Sequence, residues 1–341
     1  MRALAPLSTF HRVLDSFFDR QDRPKDRVLV LGSGWGAHAF VGGLDRRLYD
    51  VAVVSPTSQR FNQPSMIAAY PEAPSVTDFS PFVEQIEDTG IAIDQKTLKG
   101  AKASYPFDKL VIATGSEAFD FGVPGVQEHC LMCKTADDMA KIRSADPTDA
   151  IVLGAGPTGI ELACKLRAEG VNVRILEAAP TILPGFSQKM RSAVKDYLDA
   201  CELPVQTGTP VKAVTKNTIT VPSKTIHHSA TMIWTCGIRP TLFVRQLTGG
   251  KQLEVDPHLR WKENIYAVGD CVKGSPPTAQ NAEQQGHWLA QHFNTGFKST
   301  PYQYKERGRV LDLTYVMFVE LDNRVWEVPY FLTPVVRWAL K

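Results

Sequence analysis

An α/β architecture is what this 341-residue sequence predicts: two doubly wound units, the second inserted in the first, and a short C-terminal segment. Three observations predict it. An apolar run of strand length, a glycine-rich turn, a helical stretch and a second apolar run occur in that order from Arg27, and the same order returns from Ala150. Two further apolar runs, "FDKLVIATGS" and "NIYAVGDCV", end in small or turn-forming residues, as strands entering a ligand crevice do. The chain, 43% hydrophobic and 22% charged, is also large enough to bury two or three cores.

Bulk charge says little about partners. Lys and Arg number 38 against 36 Asp and Glu, a net charge of +2, so no strong field directs the chain to nucleic acid. Six cysteines are spread along it, and only Cys130 and Cys133 form a C-x-x-C. A single such pair makes a poor metal site, so no metal is expected and reduced thiols are.

Residues 1–26 read as an amphipathic extension, with Phe10, Val13, Leu14 and Phe17 at helical spacing. Arg2 and Arg12 lend it a faint likeness to an organellar transit peptide, which Asp15, Asp19 and Asp22 weaken. No uninterrupted apolar run reaches 18 residues, the length that signals a spanning helix.

The first unit opens with "RVLVLGSGWGAHAFVGGL" and closes its β-α-β with "YDVAVVSP". Its G-x-G-x-x-A places Gly32 at the tight turn, Gly34 where a pyrophosphate would approach the backbone, and small Ala37 where helix meets strand. Unpaired N–H groups at the helix start then face the phosphates. This unit ends at Ser55, an uncharged hydrogen-bonder.

The second unit, "AIVLGAGPTGIELACKLRAEGVNVRILEAAP", carries the full G-x-G-x-x-G at Gly154, Gly156 and Gly159. Its second strand ends in Glu177, an acid that suits the ribose 2′-hydroxyl of NADH and repels the 2′-phosphate of NADPH. A late run, "PPTAQNAEQQG", puts Gln280 and Gln284 on one helical face, where neutral amides can pair with a ligand's carbonyls without burying charge. Spacing alone favours a solvated polar face.

Taken together, "VLGSGWGAHAF", "GAGPTGIELA", "WTCGIRP", "YAVGDC" and above all "PPTAQNAEQQG" closely resemble the type II, or alternative, NADH:ubiquinone oxidoreductases, within the flavoproteins that have two dinucleotide-binding domains. The resemblance covers most of residues 27–296. It implies an FAD domain of two Rossmann-like parts, 27–147 and 240–296, interrupted by an NADH domain at 148–239 and followed by a membrane or interface segment at 297–341.

By the same resemblance, FAD is held by Gly32, Gly34, Ala37, Ser55, Ala113, Thr114, Gly115, Gly269, Asp270 and Ala279, with Asp270 on the ribityl chain. NADH is held by Gly154, Gly156, Gly159 and Glu177. Glu161 lies near the nicotinamide, Gly237 gives close backbone access, and Gln280 and Gln284 line the quinone site. Hydride passes from NADH to FAD and two electrons pass on to a quinone, without proton pumping, at a respiratory membrane such as the mitochondrial inner membrane. A homodimer is compatible with this plan.

Two rivals stand beside it: reduction of a soluble acceptor, and a degenerate flavoprotein with a binding role. The C-x-x-C lies too far upstream of the second glycine motif for a thioredoxin reductase arrangement and is read as inert. Three departures from the family pattern are visible. A phenylalanine-rich flavin wall is replaced by "QRFNQPSMIAAYPEAPSV", residues 76–108 are short for a three-stranded insert, and the C-terminus is trimmed. Trp326, Tyr330, Phe331 and Trp338 among cations suit a membrane interface, while Pro329 and Pro334 permit only short helices there. A tail folded on the body or on a second copy fits the same residues.

Overall fold

The computed structural model describes residues 25–57, 59–60, 67, 69–70, 77–79, 83–322, 324–329 and 332. The extension at 1–24, the altered wall at 61–66 and all but Leu332 of 330–341 lie outside the described residues. The chain divides into two compact units, 1–58 with 79–114 and 243–303, and 59–78 with 115–242 and 304–341.

The first unit is built on a six-stranded sheet in the order Arg260–Lys262, Ile265–Ala267, Lys109–Ile112, Asp26–Leu31, Tyr49–Ser55, Glu84–Glu87. All neighbours are parallel except the first two, which form an antiparallel edge. The chain leaves the central strand Asp26–Leu31 toward one side and returns on the other, which opens a crevice outside the carboxyl ends of the strands. Near-continuous Val, Leu and Ile make these strands because both sheet faces are covered. Val28, Val30, Val53 and Val111 face Phe40, Leu289 and Phe293, whereas Leu29, Val54, Leu110 and Ile112 face Leu98, Phe107 and Val244.

On the first face the helix after the glycine turn, Trp35–Gly43, packs against the late helix, Ala279–Asn294. A Cβ on Gly286 would overlap the Gly36 carbonyl oxygen, and one on Gly43 would lie 3.0 Å from the Ala290 methyl. Contacts advance together along both helices, so the pair is parallel and both N-termini lie at the same end. On the other face three antiparallel strands, Gly90–Asp94, Thr97–Gly100 and Ser104–Pro106, form a meander. The interval judged short for a three-stranded insert therefore holds all three strands, with tight turns that keep it compact.

The second unit repeats the plan. Its five-stranded parallel sheet runs Cys130–Met132, Thr231–Trp234, Asp149–Leu153, Asn172–Leu176, Val205–Gln206. One face is covered by helices Ala136–Ala145, Pro157–Ala168 and Gln188–Ala200, through residues such as Met139, Ile142, Ile160, Val194 and Leu198. The other carries an antiparallel meander whose Val214, Ile219 and Val221 pack on Ile151, Leu153 and Trp234.

Residues 115–147 belong to this unit, whereas the sequence reading assigned them to the first. The cause is pairing: Cys130–Met132 hydrogen-bonds to Thr231–Trp234, and Met139 and Ile142 bury their side chains in the second core.

Arg309–Asp312, Val316–Leu321 and Arg324–Pro329 form an antiparallel sheet. Its Leu311, Leu313, Val316 and Phe318 join the core of the second unit, and the Tyr197 hydroxyl donates to the Leu313 carbonyl at 3.0 Å. Val316, Met317, Phe318, Val319 and Glu320 are all buried, so both faces of this middle strand are covered. Among the described residues, no helix is long and apolar enough to cross a membrane.

Candidate nucleotide and electron-transfer site

Two glycine cradles, one per unit, have the same construction. In the first, Gly32 has φ +112°, and a Cβ there would overlap the Ala113 carbonyl oxygen, so only glycine lets the chain pass its neighbouring strand. Gly34 caps the following helix with no side-chain hydrogen bond, no acid occupies the first turn, and nothing lies within 4 Å of the place a Cβ would take. A helix start of this kind suits an anion that can approach closely. Ala37 is fully buried behind the turn. Ser55, 5% exposed at the end of the second strand, shares a 3.0 Å hydrogen bond with the Ser33 hydroxyl of the turn.

The second cradle has Gly154 at φ +113° and an equally open cap at Gly156, followed by Pro157 at the first helical turn. A Cβ on Gly159 would overlap the Gly154 carbonyl oxygen, which explains why the third position is glycine here. Glu177 is 8% exposed. Its carboxylate accepts N–H bonds from Ala155, at 2.5 Å inside the glycine turn, and from Ala179 at 2.7 Å. Those bonds fix the side chain, and each oxygen keeps a lone pair for a ribose hydroxyl.

The other expected positions fall as follows. Ala113 and Thr114 end the strand that crowds Gly32, and Gly115 follows at φ +64°. Gly269, at φ +80°, and Asp270 form a single 3-10 turn through Cys271. The Gly269 N–H donates to the Gln285 side-chain oxygen at 2.6 Å, and Gln252 donates to the Asp270 carbonyl at 2.8 Å. Asp270 is half-buried in this turn, as are Ala279, Gln280 and Gln284 in the first turns of the late helix. That helix is capped by Thr278, whose hydroxyl accepts the Asn281 N–H at 3.1 Å.

Two amides that sequence reasoning passed over organise this corner. Asn281 is fully buried and Gln285 is 3% exposed. Asn281 donates to the Ser275 hydroxyl and to the Pro276 carbonyl, and accepts from the Tyr302 hydroxyl at 3.0 Å. Gln285 joins Ser275 at 3.0 Å to the Gly269 turn. Their spacing is i, i+4, the same as that of Gln280 and Gln284 one residue earlier, so the signal was present in the sequence; nothing in it said which pair faces inward.

Glu161 and Gly237 each meet other parts of the second unit. The Glu161 carboxylate, 9% exposed, accepts the Asp312 N–H at 3.2 Å and so braces the second glycine helix against the C-terminal sheet. At Gly237, with φ +69°, the place of a Cβ is overlapped by the Phe121 ring, so the close approach this glycine allows is made by the chain's own aromatic side chain. The cysteine pair is inert as expected: burial pushes both the Cys130 and Cys133 thiols up to about 12, far from thiolate formation at neutral pH.

Comparison with known proteins agrees with this geometry. The family model described as pyridine nucleotide-disulphide oxidoreductase matches residues 26–286. A probable mitochondrial NADH-ubiquinone oxidoreductase of Schizosaccharomyces pombe is 30% identical, over 85% of this chain and 66% of that protein. An external alternative NADH-ubiquinone oxidoreductase of Yarrowia lipolytica is 29% identical, over 80% of this chain and 60% of that one. The chain thus spans about two thirds or less of these relatives' length. NDH2 of Plasmodium falciparum, solved in complex with NADH, shares the fold with a TM-score of 0.83 at 18% identity, covering 93% of this chain and 94% of that one. These relatives bear out the resemblance read from the motifs. With two glycine cradles of one construction and a family match running through both of them, the chain belongs to the pyridine nucleotide-disulphide oxidoreductases.

Proposed function

We propose that the chain is an FAD-dependent NADH:quinone oxidoreductase that does not pump protons and works at the surface of a mitochondrial membrane. The observation that carries this reading is the pair of cradles: each has a turn glycine that no other residue could replace and an open cap glycine. Two dinucleotides therefore fit, and the names of the relatives favour NADH and ubiquinone as substrates.

FAD, when bound, supplies the two-electron chemistry, taking hydride from NADH and passing electrons to the quinone. The residues of the chain bind and orient. Gly34 and the helix N–H groups beyond it would take the FAD pyrophosphate, and Asp270 a ribityl hydroxyl. Gly156 and Glu177 would do the same for the pyrophosphate and ribose of NADH. Since the late helix runs parallel to the first glycine helix, its positive end lies at the same end of the unit, where it would stabilise negative charge. Gln280 and Gln284 would offer amide donors to quinone oxygens and leave no charge in an apolar slot. Mitochondrial placement is favoured by the relatives' names, and attachment to the membrane surface by the aromatic and cationic residues near the C-terminus.

Anaerobic titration of the purified protein tests the reading. NADH is expected to bleach the visible flavin band, and a short-chain quinone to restore it. No bleaching would defeat the enzyme assignment, whereas bleaching without recovery would remove the quinone and leave a soluble acceptor in its place.

A further inference from the structure

A dinucleotide ribose presents two neighbouring hydroxyl donors, and a carboxylate at the end of the second strand is the usual acceptor. The second unit meets this demand with Glu177. The first does not, since its second strand ends in Ser55, whose hydroxyl is already engaged by Ser33. Yet a cavity of about 130 Å³ opens at that strand end, lined by Val53, Ser55, Phe79, Gln85 and Glu87 among others.

Register says what the neighbouring strand brings to it. Val53 pairs with Gln85 and Ser55 with Glu87, in parallel. Paired residues of adjacent parallel strands point to the same sheet face, and the strands lie about 4.8 Å apart, a distance a glutamate side chain spans. Glu87 therefore stands beside Ser55, on the cavity side.

Two acids end this strand, and only one is available. The Asp88 carboxylate accepts the backbone N–H groups of Thr89, Ala101, Lys102 and Ala103 and the Tyr105 hydroxyl, so it closes the adjoining turn. Burial pushes the Asp88 carboxyl up, but the Tyr105 hydroxyl and the N–H donors outweigh it and bring it down to about 2. Glu87 is exposed, and among the described residues its carboxylate makes no hydrogen bond or ion pair.

We infer that Glu87, from the third strand of the chain's first parallel sheet, supplies the carboxylate for the adenosine ribose of FAD, in place of the acid missing at Ser55. The inference rests on the FAD reading above and adds the residue that selects the ribose. The two dinucleotide sites of the chain then use the same chemistry from different strands.

Binding, not turnover, tests it. The full chain, stripped of flavin, is titrated with FAD and with an analogue lacking the 2′-hydroxyl of the adenosine ribose, following the quenching of flavin fluorescence. The wild-type protein is expected to prefer FAD by about tenfold, the worth of one charge-assisted hydrogen bond. Glu87→Ala should bring the preference from about tenfold to below about twofold. Glu87→Gln, which keeps the size of the side chain and one acceptor, should fall between them and guards against a folding defect in the alanine variant. An undiminished preference in both Glu87 variants, or none in the wild-type protein, would overturn the assignment. A wild-type chain that binds no FAD would instead overturn the flavin reading itself.

Discussion

The two glycine cradles share a motif and differ in where they are tight. In the first unit the crowded glycine is Gly32, pressed against the carbonyl of Ala113 on the adjacent strand, and the third motif position tolerates Ala37. In the second, Gly159 sits on the carbonyl of Gly154, and Gly154 is pressed by the side chains of Thr235 and Cys236. Bracing differs too. A parallel helix crossing through Gly36 and Gly286 supports the first glycine helix, while the bond from Asp312 to Glu161 ties the second to a β-sheet. The same phosphate-binding turn can thus be held rigid by unlike neighbours, provided that the cap glycine stays open.

Substitutions at the crowded glycines should have the largest effects. Gly159→Ala and Gly286→Ala each force a methyl into backbone, and each should lower unfolding free energy by about 3 kcal/mol in denaturant titrations. A loss under about 1 kcal/mol at Gly286 would mean that the helix seam is looser than the contacts indicate.

Next comes Gln285→Ala, which strands the buried Gly269 N–H and should cost about 2 kcal/mol. Gln284→Ala should cost about 0.5 kcal/mol and act instead on KM for a short-chain quinone. Equal stability losses would erase the distinction drawn between the inner and outer amide faces.

Glu177→Gln should act on dinucleotide choice, weakening NADH and relieving the repulsion of NADPH so that the ratio of their kcat/KM values shifts by about tenfold. The smallest effect on folding is expected at Gly156→Ala. Nothing lies within 4 Å of the new methyl, so stability should stay within about 0.5 kcal/mol while KM for NADH rises, because the methyl stands where the pyrophosphate approaches.

Much of this was legible from residue order. The β-α-β periodicity and the spacing of Gly32, Gly34, Gly154, Gly156 and Gly159 anticipate two sheets and two cradles, because a tight turn between strand and helix restricts which residues fit. The late helix was legible as well, from the amide-rich run "PPTAQNAEQQG". Its facing was not. Rotation by one residue, about 100° around a helix, separates Gln284 from Gln285, and both carry the same side chain.

Local sequence settled the β-α-β strands and the two glycine turns, since these depend on backbone geometry within a few residues. Long-range packing settled the rest. It set Asp312 against Glu161, laid the Phe121 ring over Gly237, drew residues 115–147 into the second unit and folded 309–329 into a sheet. Each of those outcomes depends on which distant apolar face needs covering, and a linear pattern states that a face exists without stating what covers it.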